Sequence, residues 1–88
     1  MGPAMRITFK LYATLTDYLP VDQRRSNQLA LDVPERSTVA DVIAPFNLPP
    51  KLVHLVLING HFVPPAERTA RALQDGDVLA IWPPIAGG

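Results

Sequence analysis

Eighty-eight residues carry eight basic and eight acidic side chains, ten prolines and no cysteine. A chain this short holds one small core, and its cancelled charge lacks the basic footprint of a nucleic-acid binder. Without thiols there is no disulfide, thiolate metal centre or cysteine nucleophile, and no apolar run reaches membrane-spanning length.

Residues 1–5, "MGPAM", read as a disordered N-terminus or a cloning scar and stand outside the fold expectation. "RITFKLYA" alternates, with Ile7, Phe9, Leu11 and Ala13 on one face and Arg6, Thr8, Lys10 and Tyr12 on the other, which predicts a half-buried strand. Leu15, Tyr18 and Leu19 are spaced for a short helical turn before Pro20 interrupts it. "NQLALDV" is a second strand with Leu29, Leu31 and Val33 inward, ended by Pro34. Ser37 is placed to cap a helix in which Val39, Val42, Ile43 and Phe46 form one apolar stripe, with Asp41 toward solvent. Pro45 should end that helix within a few residues. "HLVLIN" predicts a third strand, "GHFVP" a short fourth after an Asn59-Gly60 turn, and "VLAIW" a last one after the turn "DGD". Between them "AERTARALQDGD" predicts a loop with a brief turn around Arg71 to Leu73. One helix covers only one face of a four- or five-stranded sheet, so the class is α+β. The expected architecture is a single β-grasp (ubiquitin-like) domain over residues 1–88, with a mixed sheet and both terminal strands central.

The inventory for catalysis is thin. His54 and His61 do not have metal-pair spacing, and the acids of "DGD" are too few for a calcium loop, so no metal is expected. No glycine-rich phosphate loop or nucleophile-and-base arrangement stands out. Binding is better supported. If Val56 and Ile58 face the helix, Leu55 and Leu57 face outward, and Leu79 and Ile81 inward put Val78, Ala80 and Trp82 outward. Leu55, Leu57, Val78 and Trp82 then form an apolar patch that marks a partner site, unless loops or the C-terminal segment fold over it.

The last octet, "IWPPIAGG", is the other candidate. Pro83 and Pro84 have no N–H to extend a sheet, so the chain should leave there as a stiff arm, the start of a flexible tail over 83–88. Ile85 adds an apolar anchor, and Ala86, Gly87 and Gly88 shed bulk stepwise. A terminal Gly-Gly arises by chance in about 0.5% of chains at ~7% glycine usage. Glycine passes channels closed to other residues and adopts any φ there. The terminal carboxylate is ionised and inert at neutral pH, so to react it must be activated, most naturally by adenylation in another protein.

"LQDGDVLAIWPPIAGG" resembles the C-terminal signature of the MoaD/ThiS family of ubiquitin-like sulfur carriers, and "STVADVI" and "LVLINGHFV" resemble that family's helix start and third-strand turn. The "LYATLTDYLP" insertion resembles the molybdopterin-synthase branch more than the thiamine branch. The resemblance implies a cytoplasmic, non-catalytic carrier that binds no cofactor itself. An adenylating enzyme, MoeB/ThiF-like, would use ATP in trans on the Gly88 carboxylate, and a sulfurtransferase persulfide donor would convert it to a thiocarboxylate. The tail would then enter a MoaE-like large synthase subunit, or another sulfur acceptor enzyme, to build the dithiolene of molybdenum cofactor. Residues Pro83, Pro84, Ile85, Ala86 and Gly87 would be the tail-binding set. A carrier for thiamine or another sulfur metabolite, a protein modifier joined through Gly88 to lysines, and a plain interaction module remain the alternatives.

Overall fold

A computed structural model describes residues 4–84. In it the first alternating segment is strand β1, Ala4–Leu11, with Met5, Ile7, Phe9 and Leu11 all buried. Ala4 and Met5, set aside from the sequence, thus belong to the sheet, because Met5 continues the apolar parity by two residues. Ala13 corrects the alternation at the other end. It is exposed at φ 53 and opens a 3-10 turn, Ala13–Tyr18, so the strand face stops at Leu11. Within that turn and just after it, Leu15 and Leu19 are buried, as their spacing predicts.

β2, Gln28–Pro34, lies antiparallel to β1, and its Leu29, Leu31 and Val33 pack half-buried against the core. Helix α1, Val39–Ile43, continues as a 3-10 turn, Ala44–Phe46, and ends at Asn47 in the left-handed region. Its cap is Thr38, not Ser37. The Thr38 hydroxyl accepts from the Asp41 N–H at 3.2 Å, and the Asp41 carboxylate accepts from the Thr38 N–H at 3.0 Å, a reciprocal capping box. Ser37 is buried one residue earlier and donates to the Pro34 carbonyl at 2.7 Å, which closes the turn out of β2. The Val39, Val42, Ile43 and Phe46 stripe faces inward, and Phe46 meets Phe9 with ring centroids 4.6 Å apart.

β3, Leu55–Ile58, and β4, His61–Phe62, form a hairpin across Asn59 (φ 51) and Gly60 (φ 84). Two successive positive φ angles are what the Asn-Gly pair supplies. The loop after β4 makes its 3-10 turn at Pro65–Glu67 rather than around Arg71 to Leu73. Residues 71–73 instead lie along the start of α1, through Val39 N–H to Arg71 carbonyl (3.2 Å) and Leu73 N–H to Ser37 carbonyl (2.8 Å). β5, Val78–Trp82, completes a five-stranded sheet of order β2-β1-β5-β3-β4. It runs parallel to β1 and antiparallel to β3, so the first and last strands are neighbours inside the sheet. This is the mixed, one-helix β-grasp arrangement expected from the element order.

The "DGD" turn is structural. Asp77 accepts from Gln74 N–H at 2.8 Å and from the Asn59 side-chain amide at 2.9 Å, while the Asn59 amide oxygen accepts from Val78 N–H at 2.9 Å. Asp75 accepts from the Arg6 N–H at 2.8 Å, and Gly76 has φ 86. Both turns are therefore bolted together at the start of β5, and its other end is left for the tail.

Candidate functional site

β5 is held from both sides up to its last residue. Tyr12 N–H donates to the Ile81 carbonyl at 3.1 Å, and His54 N–H to the Trp82 carbonyl at 3.2 Å. The next two residues, Pro83 and Pro84, have no N–H, and the strand ends at Trp82. Pro83 is half-buried and Pro84 exposed, so the chain departs from the sheet where the prolines predict. Ile85, Ala86, Gly87 and Gly88 lie outside the described residues.

Arg68 supports this root from behind, a role with no signal in the sequence. Its guanidinium donates to the carbonyls of Val53 (3.1 Å), His54 (3.1 Å) and Val63 (3.3 Å), which lie five to fifteen residues away in the chain. Three carbonyl acceptors fit its fork of donors and hold the loop after β4 against the entrance to β3. Partial burial pushes its pKa below the ordinary guanidinium value.

The reverse face of the sheet carries the predicted patch. Register places Leu55 opposite Trp82, and Leu57 opposite both Ala80 and Phe62. Leu55, Leu57 and Val78 are half-buried, while Trp82 is 39% and Phe62 55% exposed. The four predicted residues thus share one face and are not sealed by the described loops. Two further members went unassigned. Tyr12 stacks flat on Trp82, with centroids 3.8 Å apart and planes 6° from parallel. Its outward parity in β1 was readable, but its approach to β5 depends on the parallel pairing of the two terminal strands. Phe62 joins because a two-residue turn places it across from Leu57, a parity that could have been counted from Asn59-Gly60. Lys10, opposite Ala80, marks the border at which the face turns polar toward Thr8, Gln28 and the Arg6–Asp32 ion pair.

Hydrogen-bonding and reactive groups are sparse on this surface. His54 and His61 are exposed, and among the described residues no three His, Asp or Glu side chains cluster to hold a metal ion. No helix is long and apolar enough to cross a membrane among the described residues. The arrangement is suited to presenting a strand end and an apolar, aromatic-rimmed surface to something else.

The model of the ThiS family matches residues 14–88. No curated protein matches the chain significantly. The solution structure of the HVO 2177 protein of Haloferax volcanii is 26% identical with a TM-score of 0.74, over 97% of this chain and 88% of that one. The crystal structure of small archaeal modifier protein 1 from the same organism is 25% identical with a TM-score of 0.66, over 94% of this chain and 99% of that one. A chain of the Helicobacter pylori complex of subunits 1 and 2 of molybdopterin-converting factor shares the fold at 17% identity and a TM-score of 0.59, over 96% of this chain and 100% of that one.

Proposed function

The chain belongs to the ThiS family of small ubiquitin-like sulfur carriers, which are not themselves catalysts, and we propose that it carries sulfur on the α-carboxylate of Gly88. The observation that supports this most is that the family match runs through residue 88 and so includes Gly87-Gly88. In the proposed sequence a carboxylate oxygen of Gly88 attacks the α-phosphorus of ATP in a partner's active site, and pyrophosphate leaves. A persulfide sulfur of a donor protein then attacks the acyl carbon and expels AMP. Reduction of the acyl disulfide by a thiol frees the thiocarboxylate. The Pro83-Pro84 arm and Ile85 thread the tail into these sites, while the face of Leu55, Leu57, Val78 and Trp82 docks on the enzyme surface. The acceptor proposed is a molybdopterin-forming synthase, because a protein of this fold comes from a two-subunit molybdopterin-converting factor complex.

Incubation with a ubiquitin-activating-type adenylating enzyme, ATP and a persulfide donor should give an intact-mass gain equal to oxygen replaced by sulfur. Deleting Gly88, or adding one residue after it, should abolish that gain and leave thermal unfolding unchanged. Undiminished adenylation in either variant overturns the proposal. A second reading is supported by the likeness to small archaeal modifier protein 1, in which case Gly88 forms isopeptide bonds to lysines. Lysine-linked adducts in the native cell, with no thiocarboxylate, would select it.

A further inference from the structure

β2 is an edge strand, with β1 on one side and no strand on the other among the described residues. Leu11 N–H donates to the Asn27 carbonyl at 3.0 Å. In antiparallel register that makes Asn27, Leu29, Leu31 and Val33 the residues bonded to β1. Gln28, Ala30 and Asp32 therefore aim their N–H and C=O groups outward. The Gln28 carbonyl accepts from the Ser26 hydroxyl at 3.3 Å and keeps a second lone pair. The backbone groups of Ala30 and Asp32 meet no partner among the described residues. Leu29 and Leu31 lie half-buried on the helix side of this edge, while Gln28, Ala30 and Asp32 are exposed on the reverse side. The Asp32 carboxylate is already neutralised, since Arg6 Nε donates to one oxygen at 3.0 Å and Nη2 to the other at 3.1 Å. The edge ends at Pro34, which has no N–H and whose carbonyl accepts from the Ser37 N–H (3.1 Å) and hydroxyl (2.7 Å).

We propose that this edge pairs with β2 of a second copy of the chain, antiparallel about a two-fold axis at Ala30. In that register the edge is complementary to itself. Gln28 falls opposite Asp32, Ala30 opposite Ala30 and Asp32 opposite Gln28, so every outward residue meets another and about six backbone hydrogen bonds form, two per pair. Other axes lose this. One at Leu31 sets Gln28 against Pro34, and one at Leu29 sets Asp32 against Ser26, which lies outside the strand behind Asn27 at φ 53. An axis at Asp32 sets carboxylate on carboxylate. The side chains agree with the backbone. The Gln28 amide can donate to Asp32 of the second copy, whose charge Arg6 balances, and the methyl group of Ala30 leaves the axis uncrowded. On the helix side Leu29 falls opposite Leu31 of the second copy, twice, at the close spacing of non-hydrogen-bonded pairs. Leu31 also walls an open groove of about 550 Å³ with Val33, Val42 and Phe46, so the paired leucines continue an existing apolar surface. Past the ladder, Arg25 of one copy shares an end with Glu35 and Arg36 of the other, whose charges cancel. The axis stands perpendicular to the sheet, and β1 separates each β2 from β5, so both Trp82 faces stay free. An interface this small belongs to the weak class.

The chain has no cysteine, so one introduced thiol reports the axis. Ala30→Cys sets two thiols in one hydrogen-bonded pair, with Cα atoms about 5.5 Å apart, within the span of a disulfide. Under mild oxidation of the full-length chain it should give a disulfide dimer at least about tenfold faster than Gln28→Cys, as expected for paired rather than colliding thiols. The same axis sets the two Gln28→Cys thiols about 14 Å apart along the strand. The wild-type chain, sedimented and followed by amide chemical shifts up to millimolar concentration, should form a dimer with shifts at Gln28, Ala30 and Asp32. Ala30→Lys changes an exposed side chain, so it should keep its thermal midpoint in dilute solution and weaken the dimer at least about tenfold, with like charges facing at the axis. If Ala30→Lys fails to fold, the two oxidation rates decide. Equal rates for the two cysteine variants would overturn the proposal, as would concentration-dependent shifts on Leu57 and Trp82 instead of β2. A chain that stays monomeric at millimolar concentration would overturn it too, leaving the edge to a strand of another protein.

Discussion

On the face of the sheet that meets α1, Val56, Ile58, Leu79 and Ile81 are sealed from water; on the reverse face of the same strands, Leu55, Leu57 and Val78 are half-buried and Trp82 and Phe62 stand exposed. The two sets are equally apolar and alternate one by one along β3 and β5. Burial here is decided by what covers a side chain, not by how hydrophobic it is. A helix of one and a half turns, extended by a 3-10 turn, covers one side. The other keeps an apolar surface that a monomer gains nothing from exposing, which is what the proposed docking role requires.

The difference between the faces can be broken by substitution. Phe9→Ala, on the covered face beneath Phe46, should cost about 3–5 kcal/mol in denaturant unfolding. Leu57→Glu, on the open face, should cost about 1 kcal/mol of stability but weaken binding to the activating enzyme at least about tenfold, the loss expected for a central contact residue. If Leu57→Glu unfolds the chain instead, the two faces are both core. Thr38→Ala removes one half of the capping box on the helix that makes the covered face, and should cost about 1 kcal/mol in thermal unfolding. The cap also has a pH signature. The Asp41 carboxyl is held below the usual carboxylate range, first by the Thr38 backbone N–H and then by its hydroxyl. Its stabilising contribution is therefore present above the unfolded carboxylate pKa of about 3.9, and is lost as pH falls through the lowered folded value. Asp41→Asn should flatten that acid limb, leaving the part due to Asp32, which Arg6 likewise holds low. The smallest expected effect is optical. Trp82 is the sole tryptophan, so docking on the open face should blue-shift its emission.

Periodicity carried most of this fold. Parity alone placed Ile7, Phe9, Val56, Ile58, Leu79 and Ile81 inward and put Leu55, Leu57, Val78 and Trp82 together outside, because in a strand each residue's side follows from its neighbour's. What escaped depended on contacts between distant segments. Thr38 and Ser37 are equally good caps on paper, and the turn from Pro34 consumes Ser37 first. Arg68 looks like any loop arginine until the carbonyls of Val53, His54 and Val63 converge on it. Tyr12 and Phe62 had assignable sides, yet only the parallel β1–β5 pairing and the tight β3–β4 turn bring them against Trp82 and Leu57. The end of β5 at Trp82 was legible by composition, as the two prolines that follow have backbone consequences that need no tertiary context.

The side-by-side placement of β1 and β5 also dictates an order of events during synthesis. Strand β1 leaves the ribosome before every other strand of the sheet, but its inner neighbour comes from residues 78–82, and β3 pairs with that same strand. Until β5 arrives, the β1–β2 hairpin and the β3–β4 hairpin have no shared strand and cannot join into one sheet. Folding must wait for the longest loop closure in the molecule, which makes it slow for its size. The consequence is a built-in check on completeness. A chain broken off before Val78 keeps two separate hairpins and cannot close the sheet from whose last-made strand the tail departs.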